Sequence, residues 1–241
     1  MDFVLHTSDS RGYANHGWLE ARHSFSFAGW YDAKKVHFGA LRVLNDDTIA
    51  PGKGFGEHPH NNMEIITIPL HGALEHKDSL GNHGVIHAGE VQVMSAGSGV
   101  FHSEFNASTS EPISLFQIWI FPNKTDVSPR YDQINYEMDQ SSTQLLTLVC
   151  PENKAQESEQ TWIHQEAWIS MGNIIKNDNL TIETKTKGNG CYIIVIDGIM
   201  NINNSRLNKR DAMGIWNSDQ LKLSTSSSCS FLLIEVPMLT F

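Results

Sequence analysis

The chain has 241 residues, a formal net charge of −10, 40% apolar residues and 18% charged residues, a globular balance with length for one large domain or two small ones. The acidic field and the lack of any Lys/Arg block argue against direct nucleic-acid binding. Three scattered cysteines, Cys150, Cys191 and Cys229, without a CxxC, point to free thiols rather than a disulfide framework or zinc ribbon.

The N-terminal stretch MDFVLHTSDSRGYANHGW lacks the basic start and apolar core of a signal peptide. Runs such as CYIIVI and FLLIEVPML are too short to span a bilayer, so the expected location is the cytoplasm, with no membrane partner.

In chain order, the first strong signal is GKGFGEHPHNNME, Gly52 to Glu64. Its glycines suit a sharp turn into a strand. They do not form a phosphate loop, because no Lys-Ser/Thr and no helix follow. Strand-like runs then succeed one another: MEIITIPL, EVQVM, ISLFQIWIF, QLLTLV, NLTIETKT, CYIIVI, LKLST and SFLLIEV. Turn signals LGNHG, SAGSG, KGNG and NINNS separate them. Residues Tyr131 to Gln140 read as a linker or short helix, and PENKAQESEQTW as an exposed loop. Many short strands with scarce helical periodicity predict a β-sandwich or barrel.

An internal repeat is also legible. EIITIPLHGALEH, HAGEVQVM and LFQIWIFP are echoed by CYIIVIDGIMNIN, KRDAMGIW and FLLIEVP, with Gly72 aligned to Gly198. The expected division is a domain over 1–135 and a related one over 136–241. The same offset puts Thr184 and Thr186 where the first half has His58 and His60, so the second domain is expected to hold no metal.

Residues i and i+2 of a strand share a face, so His58 and His60 project together. In SAGSGVFHSEFN, His102 and Glu104 repeat that spacing. Two strands each giving a pair make a set of three imidazoles and one carboxylate, which suits a divalent transition metal with positions left for substrate. His71, His76, His83 and His87 lie in a turn-rich stretch and are expected to be exposed or locally bonded, His76 being also within reach of the ligands' partners. His16 and His23 are assigned to packing or to support of the ligands. Phe55, Met94 and Phe101 are candidate pocket walls.

These motifs resemble the two cupin motifs, and RHSFSFAGWYD, FGALRVLNDDTIAPGKGFGEHPH, GEVQVMSAGSGVFHSE and SPRYDQ are similar, in order, to segments of the pirin family. Ser95 stands where the family often has threonine or proline. The resemblance implies an all-β bicupin, two packed antiparallel β-barrels of jelly-roll type with few short helices. It implies one metal held by His58, His60, His102 and Glu104, with Glu64 demoted from ligand to support. Fe(II) is the expected ion, with Ni, Co, Cu, Mn or Zn as alternatives. The implied activity is that of a quercetin 2,3-dioxygenase, which opens a flavonol with O2 to a depside and carbon monoxide, Glu104 accepting the substrate proton. The alternative is a metal-binding, redox-responsive regulator acting through a protein partner.

Overall fold

The computed structural model describes residues 1–156 and 159–239, and these form an almost wholly β structure. The first half contains β1 (Asp2–His6), β2 (Gly12–Asn15), β3 (Leu19–His23), β4 (Leu41–Ile49), β5 (Gly54–His60), β6 (Glu64–His71), β7 (Ala73–Asp78), β8 (His83–His87), β9 (Glu90–Ser95), β10 (Val100–Asn106), β11 (Ile113–Ile120) and β12 (Arg130–Asn135). The second contains β13 (Gln144–Pro151), β14 (Thr161–Ile163), β15 (Trp168–Ile174), β16 (Asn179–Glu183), β17 (Asn189–Asp197), β18 (Met200–Ile202), β19 (Ser205–Leu207), β20 (Ala212–Trp216), β21 (Gln220–Ser224) and β22 (Cys229–Pro237). Two single 3-10 turns, Ser8–Ser10 and Glu152–Lys154, are the helical elements of the described residues.

Each domain pairs a seven-stranded with a four-stranded sheet. The first has the orders β12-β9-β6-β11-β4-β3-β2 and β5-β10-β7-β8; the second has β1-β20-β17-β22-β15-β13-β14 and β16-β21-β18-β19. Position for position the two sets correspond, so the repeat seen in the sequence is a repeat of topology. Gly72 and Gly198 occupy equivalent turns, both in the left-handed region at φ +80° and +86°.

The sheets do not close into the barrels expected. Among the described residues no ladder joins a small sheet to a large one, so each domain is an open two-sheet sandwich. On the β5 side of the first domain a cavity, described below, lies between the sheets. Residues 131–135 lie in β12, paired with β9, rather than in a linker or helix. The exposed loop expected over 151–162 gives way to β14 at its end, and Glu157 and Ser158 lie outside the described residues. The first strand, β1, pairs with β20 in the second domain's large sheet, and His6 Nδ1 lies 2.8 Å from the Tyr192 hydroxyl.

The two large sheets pack face to face. Ile66, Ile68, Phe116 and Ile118 from one sheet share a buried cluster with Ile169, Tyr192, Leu232 and Ile234 from the other. The opposite face of each large sheet covers its own small sheet. Burial on both faces is why these strands read as unbroken apolar runs rather than as an alternation. Any polar residue on the inward face of such a strand is therefore conspicuous.

Truncating the shared core should weaken the whole molecule. Ile118→Ala should cost about 2–5 kcal/mol of unfolding free energy. Urea denaturation followed by tryptophan fluorescence should show both domains lost in one transition; two separated transitions would contradict the shared core.

Candidate metal centre

The glycines before the histidines act through the backbone. Gly52 turns the chain at φ +62°. A Cβ at Gly54 would lie 2.1 Å from the Glu104 carbonyl oxygen, so only glycine lets β5 lie this close to β10. The pairing sets His58 opposite His102, and a register shift follows before Phe55 meets Glu104. Gly56 and Glu57 thus oppose Ser103 alone, a bulge directly before the first histidine.

The three histidine rings converge. Ring centroids lie 4.4 Å apart for His58 and His102, and 4.9 Å apart for His60 with either. Nε2 of His58 and Nε2 of His102 are 3.0 Å apart. Two nitrogens bonded to one ion at about 2.1 Å stand roughly 3.0–3.4 Å apart, so the spacing fits a shared metal. His58 Nδ1–H donates to the Gly56 carbonyl at 2.8 Å, which leaves its Nε2 lone pair facing the cluster. Burial, then His102 and His58, pulls the His60 imidazole down to about 4. Burial, then His58 and His76, pulls His102 to about 3. Both rings are neutral near pH 7, the state a metal requires.

Glu104 belongs to an adjoining group. Potential ligand atoms of His58, His60 and His102 lie within 4.8 Å of one another, and so do those of His76, His102 and Glu104. His102 is common to both. Of the two expectations for His76, exposure or a local bond, the structure shows the second: on β7, opposite Glu104, it is fully buried, its Nε2 3.2 Å from Asp78 Oδ2 and its Nδ1 without a partner among the described residues. The strand alternation of Leu74, His76 and Asp78 was the available signal. His83 and His87 are exposed on β8, and His83 meets Glu75 at 2.8 Å.

Behind Glu104 a polar row crosses the inward face of the large sheet. Gln92, Thr67, Gln117, Asn45 and His23 are successive register partners across β9, β6, β11, β4 and β3. Thr67 Oγ1 donates to Gln117 Oε1 at 2.8 Å, and this orients the amide so that Gln117 Nε2 donates to Glu104 Oε2 at 2.8 Å. His23 Nδ1–H donates to Asn45 Oδ1 at 2.8 Å, so His23 supports the site's floor. The row itself was not read from the sequence, since each strand contributes one residue to it.

A cavity of about 480 Å³ opens on the cluster, within the range of small-molecule sites. Its walls are Trp18, Phe27, Phe55 and Trp119, in edge-to-face pairs Trp18–Phe55 and Phe27–Trp119 with centroids 5.2 and 5.3 Å apart. Its polar lining includes His58, His60, Glu104, Gln117, Asn45 and Asp47. Burial, then the charges of Asp46 and Glu104, pushes the Asp47 carboxyl up to about 8.

Comparison with known proteins now decides the family. Residues 4–120 match the pirin family model, and residues 148–236 match the quercetinase C-terminal cupin domain. The chain is 37% identical over 233 residues to a quercetin 2,3-dioxygenase of Escherichia coli K12, covering 97% of this chain and 98% of that one. It is 38% identical over 227 residues to a pirin-like protein of Caulobacter vibrioides, covering 94% and 96%.

The chain belongs to the pirin family. The crystal structure of the bacterial pirin YhhW from E. coli in complex with nickel(II) superposes with a TM-score of 0.91 at 36% identity, over 99% of this chain and 100% of that one. A quercetin 2,3-dioxygenase from Acinetobacter baumannii shares the fold, with a TM-score of 0.78 at 22% identity, over 98% of this chain and 86% of that one.

Within this pirin, three sequence candidates lie away from the cavity lining. Met94 is buried with Ile65, Ala96 and Val100, and Phe101 is half exposed at a separate cleft beyond His60; of the three proposed walls only Phe55 lines the cavity. Glu64 faces neither. The Ser95 hydroxyl donates to its Oε2 at 2.6 Å, and the His164 backbone and Arg130 lie near, so its role is at the contact between domains.

Burial pushes the Glu64 carboxyl up to about 7 from 4.5. Between these values the folded state holds a proton that the unfolded chain has lost. Its stabilising contribution is full below pH 4.5 and is lost as pH rises through 7. Glu64→Gln removes this titration. Its stability relative to the parent protein should improve between pH 4.5 and 8 by on the order of 3 kcal/mol, read by denaturation at each pH. A difference that stays flat would refute the buried-acid assignment.

Proposed function

We propose that this pirin is a metal-dependent dioxygenase of flavonols such as quercetin, with its metal held by His58, His60, His102 and Glu104. The observation that carries the reading is an aromatic-walled cavity of about 480 Å³ whose polar lining includes His58, His60 and Glu104. A regulator without turnover needs no such chamber. The names of the relatives and the nickel in YhhW support the same reading. By donor chemistry, three neutral imidazoles and a carboxylate suit Fe(II), and Ni(II) also.

A divalent transition metal bound there would supply Lewis acidity and a meeting point for substrate and O2. The chain's own residues do the rest. Trp18, Phe27, Phe55 and Trp119 clamp the flat rings and keep bulk water from them. Glu104 takes the proton of the substrate's 3-hydroxyl on a carboxylate oxygen, while Gln117 holds the carboxylate in place at 2.8 Å. Overall, O2 adds one oxygen atom to each side of the hydroxyl-bearing carbon, the two C–C bonds to that carbon break, and it leaves as carbon monoxide. The depside keeps both added oxygens, and Glu104 returns the proton to its carboxylate. The second domain, with Thr184 and Thr186 at the histidine positions, acts as scaffold.

The test combines metal content with turnover. The double variant His58→Ala/His60→Ala should lose the metal and keep the fold; stoichiometric metal in it would exclude the ligand assignment. Glu104→Gln keeps an oxygen donor but little basicity. Its O2 uptake with quercetin should fall about 10²–10⁴-fold, much further than its metal content. Near-parental turnover with metal retained would exclude Glu104 as the base, and no O2 uptake by the metal-loaded parent with any flavonol would exclude the enzyme reading.

A further inference from the structure

The inward face of β4 carries Val43, Asn45, Asp47 and Ile49, with the large-sheet core behind it and the cavity in front. Asn45 has a reason to be polar, since it accepts from His23. Asp47 has none inside the chain. It is 4% exposed and lines the cavity; its Oδ1 has no hydrogen-bond partner, and no cation pairs with it among the described residues. A carboxyl buried without partners destabilises a fold, and a leucine of similar reach would serve packing better. Such a group in a ligand cavity waits for a polar atom that arrives with the ligand.

We propose that Asp47 is a specificity-determining residue, whose carboxyl hydrogen-bonds a ring hydroxyl of the substrate and so makes the site select polyhydroxylated flavonols over those with the 3-hydroxyl alone. This rests on the flavonol reading above. The floor around Asp47 explains the direction of selection. Asp47 and Glu104 line the same cavity, so Asp47 would meet a substrate whose reacting centre lies at Glu104. The aromatic walls grip any flat ring system and do not discriminate. An unpaired buried carboxyl does discriminate, because a ligand lacking the hydroxyl leaves it unpaired in the complex as well.

Anaerobic fluorescence titration of the metal-loaded protein measures this without turnover. The ligands are quercetin and 3-hydroxyflavone, and metal content is checked for every variant. The parent should bind quercetin more tightly, by roughly 10-fold or more. Asp47→Leu should weaken quercetin by a similar factor, leave 3-hydroxyflavone nearly unchanged, and melt at or above the parent temperature. Asp47→Ala, which only deletes the carboxyl, should show the same loss of selectivity and reports if the leucine variant misfolds. Asp47→Asn keeps size and a donor and should retain most of the preference. Unchanged selectivity in folded, metal-loaded Asp47→Ala or Asp47→Leu would overturn the proposal while leaving the flavonol reading intact. Equal weakening of both ligands would also overturn it, by showing a merely structural role. If the parent binds neither ligand, the flavonol reading falls first, and this inference with it.

Discussion

The antiparallel pairing of β5 on β10 is the constraint on which the site depends. It puts His58 opposite His102 and lets their Nε2 atoms stand 3.0 Å apart. Gly54, tight against the Glu104 carbonyl, permits the approach, and the bulge at Gly56 and Glu57 turns the following histidines to the cluster. The Gly56 carbonyl then fixes the His58 tautomer. One local arrangement of backbone thus sets the distance between two imidazoles and the tautomer of one. A strand with a side chain at Gly54 would stand too far away.

The large sheet supplies the opposite requirement, rigidity. Its outer face is locked into the core shared by both domains, so its inward face is a fixed platform. Thr67 and Gln117 use that platform to hold the Glu104 carboxylate. The arrangement carries a stability cost. Both polar side-chain atoms of Gln92 and Oδ1 of Asp47 are buried without partners. Of these two residues Asp47 lines the cavity, where function rather than packing can select the residue.

Much of the architecture was legible in the sequence because its signals are local. The i,i+2 pairs His58/His60 and His102/Glu104 each sit within one strand, and strand topology follows the repeat that links Gly72 to Gly198. What stayed hidden is assembled across strands. Gln92, Thr67, Gln117, Asn45 and His23 become a row only through register, and no window of sequence contains them together. Trp18, Phe27 and Trp119 reach the cavity from three separate segments. His76 makes the local bond expected of it, to Asp78, but its full burial on β7 beside Glu104 was hidden by nearby glycines that read as turns. The pairing of β1 with β20 joins residues more than 200 positions apart, and nothing local announces it. Barrel closure was overestimated for the same reason, since strand patterns do not say whether two sheets share a ladder.

Anomalous diffraction from crystals loaded with nickel or iron tests the central claim most directly. The account predicts a single peak within about 2.0–2.3 Å of one nitrogen each of His58, His60 and His102, with the Glu104 carboxylate turned to the same ion. A peak held by His76, His102 and Glu104 without His58 and His60, or one outside the first domain, would contradict it.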